Sequence, residues 1–130
     1  FAIFTSKLIM FKIHISLPLI KYPKKKVGLM IAVHTTIQNE GEAEKLTSSL
    51  VKENLIACGS YFQINSVYVW EKKYTEEKEY EVVCYTRDSL LERVVQYIKK
   101  NHPYDLPKIV VFEAKYVLPE YDEWIEKQTD

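Results

Sequence analysis

The segment Asn101-His102-Pro103-Tyr104-Asp105-Leu106-Pro107 packs an imidazole, a phenol, a carboxylate and two prolines into seven residues. It follows a stretch of helical periodicity and precedes an apolar stretch. It is therefore a tight connection in which side chains can converge on a ligand. His102 can serve there as a general base, as a metal ligand, or as a loop histidine donating to a backbone carbonyl, and the last use is the commonest. As a base it would need Asp105 or Glu79 to orient it and Cys58 or Tyr104 as its partner. Signatures of catalysis are otherwise missing: there is no His-Glu-x-x-His, no Gly-x-Ser-x-Gly and no glycine-rich phosphate loop, and the only glycines are Gly28, Gly41 and Gly59. The expectation is a binding protein, not an enzyme.

The elements that position this loop can be read from periodicity. A first strand is expected over 27–35. Asn39, with Glu42 three residues on, resembles a capping box, and Ala43, Leu46, Leu50 and Leu55 then hold one helical face. From Ala57 the composition turns aromatic and β-branched, which predicts a long strand through about Tyr74, a hairpin turn over 75–79 and a returning strand over 80–87. Asp88 or Ser89 is expected to cap a second helix, with Leu90, Leu91, Val94, Val95 and Ile98 on one face until Pro103 stops it. A last strand over 109–117 and a terminal helix over 120–128, with Pro119 at its start, complete the chain. Strand, helix, strand, strand, helix, strand is the split βαβ of a ferredoxin-like α+β sandwich, here with an extra C-terminal helix. Its second sheet face carries many of the ten tyrosines and several valines with no element of its own to cover it, so association is expected. A dimer or a trimer would cover it equally.

Four segments recur in an order that resembles the CutA family of divalent-ion tolerance proteins: Leu55-Ile56-Ala57-Cys58, Ser66-Val67-Tyr68-Val69-Trp70-Glu71-Lys72-Lys73, the His102-Pro103-Tyr104 loop, and Tyr121-Asp122-Glu123-Trp124. The resemblance covers residues 27–128. It implies a homotrimer whose sheets pack around a threefold axis, and a non-enzymatic binding or regulatory role in tolerance of divalent metal ions, copper among them. The alternative is a PII-like signalling trimer that binds a small metabolite in clefts between subunits, or a structural, anchoring trimer. The matching cleft positions are Trp70, Lys73, Glu79, His102, Tyr104 and Tyr121. For Glu79 and Lys73 an ordinary ion pair across the hairpin is as good an expectation as ligand contact. Where copper binding has been proposed in the family, the ligands are a cysteine late in the first strand and two histidines before Pro-Tyr. Those positions here are Thr35, Asn101 and His102, so His102 alone remains as a metal ligand, and His34 points to the opposite strand face. The family also more often carries a lysine where this chain has Tyr85, which reduces the positive charge expected of the cleft.

Length and charge set the outer bounds. At 130 residues the chain supports one core. Cys58 and Cys84 lie 26 apart with no Cys-x-x-Cys spacing and read as small hydrophobes of a reducing compartment, the cytoplasm being the expected location. No acid precedes Glu40, whereas six lysines do, leaving the remainder with a net charge of −6. Residues 1–26 are therefore expected to be a basic, apolar arm or an organelle-targeting leader in front of a domain over 27–130. Phe11, Ile13, Ile15 and Leu17 alternate with polar or breaking residues as in a half-buried strand, and an ordered arm is the favoured expectation. Lys12, His14 and Pro18 interrupt the apolar run, which speaks against a transmembrane segment, and an acidic domain speaks against nucleic acid as partner.

Overall fold

A computed structural model describes residues 30–130; the basic arm and the first residues of the expected leading strand lie outside them. Chain order is β1 (Met30–Ile37), α1 (Glu40–Lys52), β2 (Cys58–Trp70), β3 (Lys73–Arg87), a 3-10 turn (Asp88–Leu90), α2 (Leu91–Asn101), β4 (Ile109–Glu113) and α3 (Pro119–Gln128). The four strands form one sheet in the order β2-β3-β1-β4, every neighbouring pair antiparallel. This is the ferredoxin-like α+β sandwich with its added terminal helix.

Strand alternation divides the sheet. Ile31, Val33, Thr35 and Ile37 of β1 align with Val82 and Cys84 of β3 and Val111 of β4. With Ala43, Leu46 and Leu50 of α1 and Val94 and Ile98 of α2, they form the buried layer between sheet and helices. Asn39 caps α1 as its spacing predicted, its Oδ1 accepting from the Glu42 backbone N–H at 2.9 Å. Cys84, in this layer, has its thiol pushed up to about 12 by burial and, less, by Cys58. Both cysteines are free, and Cys58 is only half-buried.

The structure corrects four local expectations. The hairpin turn is at Glu71 and Lys72, with φ of 47° and 64°, and residues 75–79 are strand. Two consecutive left-handed residues make the tight turn that matches strand twist, but neither is the Gly or Asn that normally announces it. Glu79 and Lys73 consequently lie on one strand, six residues and roughly 20 Å apart, opposite Ile64 and Trp70, so they form no cross-strand pair. Neither Asp88 nor Ser89 caps α2 through its side chain, because a 3-10 turn tightens its entry instead. Finally, β4 stops at Glu113: the Ala114 N–H still reaches Met30 O at 3.0 Å, at the first residue of β1, and the chain then departs.

β2 and β3 outrun the sheet. β1 pairs only with residues 80–87 of β3, so among the described residues the remainder of the hairpin projects as a two-stranded arm. Val67, Val69 and Tyr74 on the arm are 60%, 57% and 68% exposed.

Candidate functional site

Pro103 decides where α2 ends and how the loop behind it begins. The residue before a proline is pushed out of the helical region, and His102 accordingly sits at φ −91°, ψ 134° as the C-cap. That turn carries the imidazole to the end of β1, where Nε2–H donates to the Thr36 carbonyl at 2.7 Å. Nδ1 accepts from the Tyr104 backbone N–H at 3.1 Å, which fixes the tautomer. Burial lowers the imidazole pKa, partly countered by the Thr36 bond and the Glu79 charge. His102 thus acts as a clamp between loop and sheet. Its ring meets Tyr104 edge-on, with centroids 4.8 Å apart.

The clamp places Tyr104 over the sheet face opposite α1 and α2. There its hydroxyl donates to Glu79 Oε1 at 3.1 Å. Glu79 is 1% exposed, and its Oε2 is buried without a hydrogen-bond partner among the described residues. The phenol pKa is driven well above the ordinary tyrosine value, first by burial and then by the Glu79 charge and hydrogen bond. Two residues further along β3, Glu77 accepts from the Tyr68 hydroxyl, and this bond leads the causes that raise Tyr68 to about 12.

Between loop and arm lies an open cleft of about 420 Å³, lined by Tyr68, Trp70 and Tyr104, by Glu77 and Asp105, and by Gln38, Pro103 and Leu106. It is aromatic and acidic, with no lysine or arginine among its lining residues. Of the six residues expected at a cleft, the fold brings Glu79, His102 and Tyr104 together and sets Trp70 on the same wall. Lys73 stands at the arm's tip opposite Trp70. Tyr121 belongs to the other end of β3, where burial and the nearness of Cys58 and Tyr85 raise its phenol and its ring stacks on Trp124 at 5.5 Å.

Thr35, Asn101 and His102 do not fit a copper ion. Thr35 is wholly buried beneath the helices, Asn101 donates to the Tyr97 carbonyl at 2.8 Å, and both His102 nitrogens are engaged. Among the described residues no group of three or more His, Cys, Asp or Glu side chains is placed to hold a metal. Asp105 does not orient His102, whose two nitrogens bond backbone groups.

Sequence reasoning missed a second polar cluster on the same face. His34 Nδ1–H donates to Glu81 Oε1 at 2.9 Å, and Lys108 bonds both Glu81 oxygens at 3.0 and 2.8 Å. His34 also meets Phe112 edge-on. The one signal available was alternation, which put His34 on the face away from Thr35 but could not show that Glu81 lies diagonally across from it.

Comparison with known proteins agrees with this architecture. The family model described as CutA1 divalent ion tolerance protein matches residues 31–128. The divalent-cation tolerance protein CutA of Pyrococcus horikoshii is 38% identical over 100 residues, covering 77% of this chain and 98% of that protein. The chloroplastic protein CutA of Arabidopsis thaliana is 35% identical, covering 76% of this chain but 55% of the relative, so the chain spans about half the length of that plant protein. The crystal structure of CutA1 from Oryza sativa superposes with a TM-score of 0.76 at 33% identity, covering 78% of this chain and 94% of that one. No helix among the described residues is long and apolar enough to cross a membrane. With the matched fold, matched span and this level of identity, the chain belongs to the CutA1 divalent ion tolerance family.

Proposed function

We propose that the protein is a non-enzymatic homotrimer acting as a binding and regulatory protein in divalent-cation tolerance, with the cleft between Trp70 and Tyr104 as its ligand site. The observation that carries this is the arm next to that cleft. A two-stranded ribbon is barely stable alone in water, and this one exposes apolar side chains on both faces, Trp70 on one and Val67, Val69 and Tyr74 on the other. Packing against neighbours removes that surface from water. It also sets the arm of each subunit against the next and closes the cleft.

The chemistry supports binding over turnover. His102 is held neutral and doubly bonded as a clamp, and Tyr104 is a raised, engaged phenol. Neither is poised as base or nucleophile. The aromatic lining favours a small organic ligand over a directly coordinated copper ion, so the PII-like alternative, in which occupancy of the cleft is passed to a partner protein, has support of its own. Tyr121 reaches the site only if a neighbour supplies it. The lysine-rich residues 1–26 fit a separate arm or an organelle leader ahead of the domain, and the chloroplastic relatives favour the leader. Without a leader, a cytoplasmic protein follows.

Sedimentation of the full chain, with calorimetric titration of copper and zinc into wild type and His102→Ala, tests the proposal. A trimer whose cation binding is indifferent to His102 supports the cleft-centred role. A folded monomer sinks the assembly, and tight copper binding at one site per subunit that vanishes in His102→Ala replaces the cleft with a metal site.

A further inference from the structure

The cleft described above combines two features that together define a class of ligand. Three aromatic rings, Tyr68, Trp70 and Tyr104, stand around an opening that also carries the Glu77 and Asp105 carboxylates and no basic side chain. Behind Tyr104, Glu79 adds a third carboxylate whose Oε2 is buried and lacks a donor among the described residues. We infer that the cleft binds an organic cation, a primary alkylammonium, with its charge against the aromatic faces and carboxylates and its alkyl part along Leu106 and Pro103. This rests on the reading that the cleft is the functional site.

Three considerations converge on that class. A buried carboxylate with an unmet oxygen is costly unless a cation or donor compensates it. Tyr104 compensates one oxygen of Glu79 and leaves the other. A primary ammonium brings three N–H donors and one positive charge. Aromatic faces attract such a cation, most strongly where water is excluded, and a neighbouring subunit over the arm would exclude it. An anionic metabolite meets the opposite field, since the cleft lining carries carboxylates and no lysine or arginine; on the same face Lys108 is held by both oxygens of Glu81, and Lys73 stands at the arm's tip opposite Trp70. A bare divalent ion, finally, finds here aromatic walls and separate carboxylates, not a converging set of ligands.

The test is a titration of the full-length protein with butylammonium chloride, followed through the indole N–H signal of Trp70 in proton–nitrogen spectra, with sodium phosphate and zinc chloride as comparison solutes. Saturable shifts of the Trp70 signal with butylammonium are expected, with affinity weakened about tenfold in Trp70→Leu and by a similar factor in Glu77→Gln, each removing one cation contact. Both residues are exposed, so the variants should fold, and unchanged signals from core amides check this in the same spectra. If phosphate moves the Trp70 signal and butylammonium does not, the cleft is a binding site but the cation assignment is overturned. If no solute moves it while zinc perturbs signals elsewhere, both the assignment and the cleft-centred function fail. Butylammonium binding that is unchanged in both variants overturns the assignment as well.

Discussion

Removing the Tyr104 hydroxyl tests the centre of the site directly. In Tyr104→Phe the ring and its edge-on contact with His102 remain, and only the donor to Glu79 Oε1 is lost. Glu79 is 1% exposed and its second oxygen is already unpartnered, so the carboxylate would be left without a donor among the described residues. A hydrogen bond to a charged group contributes about 1.5–3 kcal/mol, and its loss in a buried place falls toward the upper end of that range. Denaturant unfolding at pH 7 and fixed protein concentration should therefore show Tyr104→Phe less stable by about 2–3 kcal/mol. Glu79→Gln keeps an acceptor for Tyr104 and removes the buried charge, so it should be close to neutral. In the double variant the penalty for losing the hydroxyl should shrink to about 1 kcal/mol, giving a coupling of 1–2 kcal/mol between the two positions. The same pair has a signature in alkali. The Tyr104 phenol is raised in the folded protein, by burial first and Glu79 second. The unfolded chain releases this proton near pH 10 and the folded one retains it, so the stability is fully present below about pH 10 and is lost as pH rises, by at most about 1.4 kcal/mol per unit. Tyr68, Tyr74 and Tyr121 shift in the same direction, so the quantity to measure is the difference between wild type and Tyr104→Phe. A hydroxyl deletion that costs under about 0.5 kcal/mol, or strict additivity with Glu79→Gln, would refute the buried donor–carboxylate pair.

His102→Ala should cost about 2 kcal/mol through its two hydrogen bonds and flatten the acid limb of the stability profile. Because burial lowers the folded pKa, the stabilisation is present above the unfolded value of about 6.5 and is lost as pH falls through the folded one; an unchanged slope between pH 5 and 7 would contradict the clamp. In Gly59→Ala the new methyl would overlap Thr47 Cγ2 and stand 3.1 Å from Ile56 Cδ1, while Thr47 is held by its bond to Ala43 O, so a loss of about 1–3 kcal/mol is expected in urea unfolding. Replacing Glu71-Lys72 by Asn-Gly should stabilise by roughly 1 kcal/mol, seen as a higher melting temperature, since both positions have positive φ. Val67→Lys with Val69→Lys should dissociate the proposed trimer in sedimentation and abolish the concentration dependence of unfolding; retention of the wild-type mass would show that this face of the arm is not an interface.

Much of the fold was legible because its rules are local. Asn39 with Glu42, the apolar face of α1, and Pro103 and Pro119 at helix boundaries each act within one turn of chain, and each element appears where those residues put it. The errors came where local chemistry was silent. Glu71 and Lys72 adopt left-handed geometry without a residue that favours it, so the polar run 75–79 looked like the better turn. Tyr116 and Val117 have strand-forming side chains, yet β4 ends at Glu113 and the chain turns toward Pro119, which opens α3.

The site divides along the same line. The loop announced itself through the types packed into 101–107, and His102 donating to a carbonyl is the commonest use of a loop histidine. What sequence could not show is that the loop lands on Glu79, because that depends on the register of β3 against β1 and on a turn placed four residues from its expected start. Moving the turn to Glu71 and Lys72 has a chemical consequence. Residues 75–79 cease to be a solvated bend and become strand, with Glu77 and Glu79 on one face beside Tyr68 and Trp70. Glutamates that would have been ordinary surface charges are thereby placed among aromatic rings, one of them under Tyr104 with an oxygen unmet. The negative character of the cleft is thus a product of the hairpin geometry as much as of composition. Inserting one residue between Glu79 and Tyr80, which would move Glu77 and Glu79 to the opposite face while residues 80–87 stay registered on β1, should abolish cation binding even with every cleft residue retained.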